Sequence, residues 1–218
     1  MRVNAFSKTY GGRTVLEFPG FDFAPGRIYA VIGANGSGKT TFARCLCGIE
    51  RADGGSAAAA PGTAVGYLPQ KSFAFRMSTR KNIRLGADAQ TAEALMEELG
   101  LLPYAASPAY RLSGGETAKM ALARILPRKY DLLALDEPTA AMDMESTLAA
   151  ERLIVRRCRE TGMPILCITH SLQQARRTAD EVLFFHRGRL LEHGAAETLL
   201  SAPRTPELRQ FLEFYGAV

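Results

Sequence analysis

Short apolar runs broken by glycine and proline fill the first 32 residues, with turns at Gly11-Gly12, Pro19-Gly20 and Pro25-Gly26. That punctuation predicts a few strands rather than helices. Arg27 to Ile32 (RIYAVI) is a mostly apolar run ending at Gly33, the pattern of a strand buried on both faces. A helix is expected from Lys39 to about Cys47, a surface loop over the small, turn-rich residues 52–62, and a strand from Ala64 to Leu68. From about Thr79 to Leu126 the pattern turns helical, with no convincing strand. Ala92, Leu95, Met96 and Leu99 recur at spacings of three and four, so 89–99 reads as an amphipathic helix. Strand and helix then alternate: Asp131 to Leu135 strand, Ser146 to Glu160 helix, Pro164 to Ile168 strand, Leu172 to Thr178 helix. Val182 to Leu191 forms a hairpin turning at Arg187-Gly188, and two short helices end the chain. There is no internal repeat. The alternation predicts an α/β fold, a largely parallel sheet flanked by helices, interrupted by a helical insert near residues 75–120.

Composition narrows this without redirecting it. The 218 residues suit one domain, and 47% hydrophobic with 22% charged residues excludes wholesale disorder. The net charge of +5 comes from 27 basic against 22 acidic residues with no basic run, so an anionic partner is expected but no nucleic-acid tail. Nucleotide phosphates or lipid headgroups would satisfy the excess. No stretch reaches the roughly 18 apolar residues that span a bilayer, and MRVNAFSKTYGG lacks the apolar core of a secretory signal. The expectation is a soluble, cytoplasmic chain. Cys45 and Cys47 sit two apart in a helix, where side chains diverge and make a poor metal pair. Cys158 and Cys167 read as small core residues.

Candidate chemistry begins at Gly33-Ala34-Asn35-Gly36-Ser37-Gly38-Lys39-Thr40, which matches G-x-x-x-x-G-K-[ST] between an expected strand and helix. Glycines let backbone N–H groups converge on phosphate oxygens, and the following helix presents its positive end to the same anion. Lys39 can reach the terminal phosphates and the Thr40 hydroxyl can ligate Mg²⁺. The alternative is a glycine-rich turn before a helix; with eight positions and the flanking context matched, a nucleotide-binding phosphate loop (P-loop) is expected, while hydrolysis needs more.

Leu132 to Glu137 is an apolar strand ending in two acids. Asp136 is placed to bind Mg²⁺, directly or through water. Glu137 is placed to orient, or take a proton from, a water attacking the γ-phosphate. Alone, the pair would equally suit a solvated turn; beside a phosphate loop it reads as catalytic. Nucleotide kinases and GTPases remain open at this point.

Leu112-Ser113-Gly114-Gly115-Glu116 closes that choice. With it the sequence resembles the ATP-binding cassette (ABC) ATPases over essentially its whole length. The family's motifs occur in order: the aromatic Tyr10, the phosphate loop, Gln70 after a strand, the Ser113 signature, Asp136-Glu137, a short loop from Ala140 to Asp143, and His170 after the next strand. The resemblance implies a P-loop core with a mostly parallel sheet and an N-terminal antiparallel β subdomain, spanning about 1–74 and 121–218. A helical subdomain would occupy about 75–120. It implies that ATP and Mg²⁺ are the ligands. Tyr10 would stack on adenine, although the residues alone allow a core aromatic there. Gly33 through Thr40, together with Thr41, would surround the phosphates. Gln70 would meet Mg²⁺ and the attacking water, and His170 would contact the γ-phosphate. Ser113, Gly114, Gly115, Glu116 and Asp143 would complete the site.

Gly114 and Gly115 after Ser113 open a second helix toward an anion. One chain cannot readily bring two such ends onto one γ-phosphate, and in this family a second copy supplies the signature, giving a head-to-tail dimer. Glu116 departs from the commonest family residue, Gln; a carboxylate there is mildly unfavourable near phosphate unless it faces the ribose hydroxyls.

The resemblance further implies permease subunits in the membrane, a position on its cytoplasmic face, and an extracytoplasmic solute-binding protein, with no nucleic acid. It leans to short bacterial importers for oxyanions such as tungstate, molybdate or phosphate. An export cassette, or one acting in translation or DNA repair, is the alternative; the latter would normally carry tandem cassettes or a long coiled-coil insertion. Lys71-Ser72-Phe73-Ala74-Phe75-Arg76 is the expected groove for a permease helix, if the two phenylalanines are not core.

Overall fold

The computed structural model describes residues 1–55 and 62–215. Residues 56–61 of the loop expected at 52–62 lie outside them. In chain order the elements are β1 (Arg2–Val3), β2 (Phe6–Tyr10), β3 (Arg13–Phe18), β4 (Phe21–Asp22), β5 (Ile28–Ile32), α1 (Lys39–Leu46), β6 (Gly54–Gly55) and β7 (Val65–Leu68). Then come α2 (Thr79–Ile83), α3 (Ala89–Glu98), α4 (Gly114–Ile125), β8 (Leu132–Asp136), α5 (Met144–Thr161), β9 (Ile165–Ile168) and α6 (Leu172–Thr178). The hairpin β10 (Glu181–His186) and β11 (Arg189–Ala195) leads to α7 (Ala196–Ser201) and α8 (Pro206–Phe214). Gly54–Gly55 corrects the loop reading: this pair forms a short strand against Phe6 and Ser7, which backbone hydrogen bonding permits without any side-chain pattern.

Two compact units emerge. The first holds Met1–Tyr67, Tyr130–Asp136 and Gly162–Val218; the second holds Leu68–Lys129 and Glu137–Thr161. The main sheet runs in the order β6-β2-β3-β11-β10-β5-β9-β8-β7. Its centre, β10, β5, β9 and β8, is parallel throughout, and β6, β2 and β3 pair antiparallel. Alternation along β5 explains why the centre is apolar without interruption. Tyr29 and Val31 join one core with Phe42, Leu46, Leu183 and Phe185, while Ala30 and Ile32 join another with Leu172, Leu199, Leu208 and Phe211. Burying a Phe or Leu side chain stabilises by about 1.5–3 kcal/mol, so a strand with two buried faces contributes twice per pair of residues.

Helix α1 is fixed by aromatic packing. Phe42 lies 4.5 Å from Phe18, 5.1 Å from Phe185 and 6.2 Å from Phe6, ring centre to ring centre. Three strands thereby set the position of the helix that follows the phosphate loop.

In the second unit, α2, α3 and α4 each begin at a side-chain cap: Ser78, Asp88 and Ser113. Asn82 is fully buried and fully used: its side chain accepts from the Phe75 N–H at 2.9 Å and from Arg124 Nη1 at 3.0 Å, and donates to the Phe75 carbonyl at 3.1 Å. It pins the segment before α2 to the last turn of α4. Cys158 and Cys167 lie in the core as expected. Among the described residues no helix is long and apolar enough to cross a membrane.

Candidate functional site

The phosphate loop bridges the end of β5 and the start of α1. Gly33 has φ 148°, and a Cβ there would lie 2.2 Å from the Phe185 carbonyl oxygen, so no other residue fits. The loop is braced from behind by the β10–β11 turn. The Gly188 N–H donates to the Ser37 carbonyl at 3.0 Å, and the Gly188 carbonyl accepts from the Glu17 N–H at 2.7 Å. Ala34, Asn35 and Gly36 are exposed, whereas Ser37 and Lys39 are buried; Gly38 and Thr41 are half-buried.

Lys39 is only 6% exposed, and its ammonium donates to the carbonyls of Gly33 at 2.8 Å and Ala34 at 3.0 Å. A cation folded onto the carbonyls of its own loop is a placeholder arrangement, ready to exchange them for phosphate oxygens. Ser37 Oγ is buried with no hydrogen-bond partner. Burying a hydroxyl unpaired costs about 1–3 kcal/mol, and a phosphate oxygen would remove that cost. The loop therefore fits a polyphosphate.

Asp136 ends β8 and is 2% exposed. Its Oδ2 accepts from the Thr40 hydroxyl at 3.1 Å and from the Tyr67 hydroxyl, also at 3.1 Å. The structure thus joins Thr40 and Asp136, as a shared Mg²⁺ site requires, and the donor set of hydroxyl and carboxylate oxygens suits that hard cation. Tyr67 is absent from the sequence reading. Burial first, then the charge of Asp136, pushes its phenol well above the usual range, so it stays a donor. His170, half-buried after β9, is held below the usual imidazole range by burial and then by the charge of Lys39, with Asp136 opposing. It is neutral at neutral pH and keeps one N–H to donate.

Tyr10 is 47% exposed at the end of β2, which rules out the core alternative. Its hydroxyl donates to the Glu50 carboxylate, and that bond pushes the phenol up to about 12. The Lys8 ammonium lies 5.2 Å from the ring centre, held by Asp53 at 3.1 Å and the Arg51 carbonyl at 2.9 Å.

The second unit carries Gln70, Glu137, Asp143 and the Ser113 turn. Gln70 is exposed. Glu137 adopts φ 51°, a left-handed conformation uncommon for a non-glycine residue and concentrated at functional positions. Ser113 and Gly114 are exposed at the start of α4. Gly115 passes under the following loop, where a Cβ would stand 2.8 Å from the Ala141 carbonyl. Glu116 turns back on its own helix, accepting from the Ser113 N–H at 2.7 Å, and this bond, with the Tyr104 hydroxyl, holds its carboxyl below the usual range. Asp143 caps the first turn of α5 through the Ser146 N–H at 2.8 Å and the Ser146 hydroxyl at 3.1 Å.

Residues 16–140 match the ABC transporter family. The chain is 38% identical over 205 residues to the tungstate uptake system ATP-binding protein TupC of Peptoclostridium acidaminophilum, covering 87% of this chain and 96% of that protein. It is 32% identical over 213 residues to the zinc import ATP-binding protein ZnuC of Halorhodospira halophila, covering 95% of this chain and 82% of that protein. In fold it is similar to a dimeric ATP-binding cassette in a post-hydrolysis state bound to ADP and Pi, with a TM-score of 0.76 at 18% identity, covering 90% of this chain and 99% of that one. The chain belongs to the ABC transporter family and is an ATP-binding, ATP-hydrolysing cassette.

Proposed function

We propose that this ABC ATPase powers a bacterial importer for an inorganic oxyanion of the tungstate class. In this reading it works on the cytoplasmic face of the membrane, as a head-to-tail pair with permease subunits and an extracytoplasmic solute-binding protein. The observation that carries the substrate class is the likeness to TupC over 96% of that protein's length.

The chemistry follows from the residues. Adenine stacks on the open side of Tyr10. Backbone amides from Gly33 to Thr41 take the phosphates, Ser37 Oγ gains a partner, and Lys39 exchanges its loop carbonyls for β- and γ-oxygens. Thr40 and Asp136 would hold Mg²⁺, a role the family resemblance also gives to Gln70, and its charge would stabilise the transferring phosphoryl group. Glu137 orients a water and accepts its proton as the oxygen attacks the γ-phosphorus. The bond to the β-bridging oxygen breaks, leaving ADP and phosphate. Neutral His170 donates its N–H to the γ-phosphate without adding a charge that would hold the product. Ser113, Gly114 and Gly115 of the partner copy cap the γ-phosphate, with Glu116 and Asp143 alongside. In such a water-poor site oriented donors act strongly. The helical segment 75–120 carries the cap and receives the permease beside Phe73 and Phe75.

Glu137→Gln tests the whole reading. It keeps the shape, removes the base, and should give ATP-dependent pairs that persist because cleavage stalls, with turnover down by about 10²–10⁴-fold. A variant that hydrolyses ATP at the wild-type rate removes Glu137 from the chemistry. In membranes reconstituted with permease and binding protein, tungstate should stimulate ATPase; stimulation by zinc and not by tungstate would overturn the substrate class.

A further inference from the structure

We propose that Tyr67 is a positioning residue of the magnesium site, holding Oδ2 of Asp136 so that Oδ1 faces the metal or its water. The proposal rests on the reading of Asp136 as a metal-binding carboxylate.

Three observations carry it. Asp136 is buried at the end of a central strand, and among the described residues its hydrogen-bond partners are two neutral hydroxyls on the same oxygen, Thr40 Oγ1 and Tyr67 OH, each at 3.1 Å. A buried carboxylate without a hydrogen-bonded cation is costly, as expected of one that awaits a divalent ion. The two hydroxyls are not equivalent, however. Thr40 is exposed at the start of α1 and, as a metal ligand, would share its hydroxyl between Asp136 and the ion. Tyr67 would not. It stands on β7, next to β8 in the sheet, and its ring packs against the main hydrophobic cluster. Its hydroxyl is therefore the contact that Asp136 does not share with the metal. Groups that orient a metal-binding carboxylate through its other oxygen tune affinity although they never touch the ion.

Tyr67→Phe retains the ring and deletes only the hydroxyl. We expect its Mg²⁺ affinity, measured by titrating the ion into ADP-bound protein, to fall by about tenfold, while ADP affinity without metal and the melting temperature stay within twofold and a few degrees of wild type. The chain has no tryptophan, so the tyrosine difference absorbance of the wild type less that of Tyr67→Phe isolates this ring among seven. Mg²⁺ should give a signal in that difference. Unchanged metal affinity, an equal loss of metal-free ADP binding, or no metal-induced signal in that difference would each overturn the proposal. Asp136→Asn separates the two layers: if it leaves Mg²⁺ affinity untouched, the metal-site reading itself fails. A tenfold loss in Asp136→Asn with none in Tyr67→Phe removes the tyrosine alone.

Discussion

Ser113 and Glu116 cap each other across the first turn of α4: the Glu116 N–H reaches the Ser113 hydroxyl at 3.3 Å, and the Glu116 carboxylate takes the Ser113 N–H at 2.7 Å. This reciprocal cap stabilises the helix start. It also fixes a negative charge where the dimer would need to bind a phosphate, and it engages the Ser113 hydroxyl in the protein's own backbone.

Replacing Glu116 with Gln should therefore tighten ATP-dependent pairing. Gln keeps an acceptor for the Ser113 N–H and removes the charge, an effect of about 0.3–1 kcal/mol at a helix end, or roughly two- to fivefold in the pairing constant. Sedimentation of Glu137→Gln protein with and without the second change, in ATP, measures it. Equal or weaker pairing would mean that Glu116 does not face phosphate.

Phe73 and Phe75 are 53% and 42% exposed, and the Arg124 guanidinium sits 5.0 Å from each ring centre. Arg124 Nη2 also donates to the Phe73 carbonyl at 3.0 Å. These rings are not core. Changing both to Ala should leave basal ATPase and melting temperature near wild type and abolish solute-stimulated transport in proteoliposomes. Loss of soluble folded protein would mean that the pair supports the unit rather than a partner.

Glu192 is a structural acid, 7% exposed, accepting from the Arg204 N–H at 2.9 Å, the Thr205 N–H at 3.0 Å and the Thr205 hydroxyl at 2.6 Å. Burial alone would raise its carboxyl, but these three donors outweigh that and hold it below the usual range. A depressed folded value means that the anion's stabilisation is complete above the unfolded carboxyl's range and is lost as pH falls through the folded value. Glu192→Gln should cost roughly 2 kcal/mol near neutral pH, on the order of 5 °C in melting temperature, with the gap to wild type closing in acid. A gap independent of pH would assign the effect to packing.

The sequence was most legible where one residue type had one physical use. RIYAVI could hardly be other than a buried strand, and the spacing from Gly33 to Thr40 pointed to a phosphate cradle. Pairing across the sheet was opaque. Tyr67 looked like any strand aromatic, because nothing local says that β7 lies beside β8 and brings its hydroxyl to Asp136. Gly54–Gly55 looked like a loop, since glycines that pair through backbone alone leave no pattern. Arg124 carries no local sign of its contact, since 51 residues separate it from the Phe73 carbonyl it holds. The signature carboxylate was visible, but its reversal onto Ser113 depends on rotamers.

The Gly188 turn touches the phosphate loop through Ser37 and the N-terminal sheet through Glu17. At φ 81° and with Val15 O only 2.4 Å from where a Cβ would stand, it tolerates no side chain. A bulkier residue at this bend would press on the Val15 backbone and displace the N–H that holds the Ser37 carbonyl. The strength of the ATP grip therefore depends on a hairpin more than 140 residues further along the chain, and changes there should loosen it while every catalytic group stays in place.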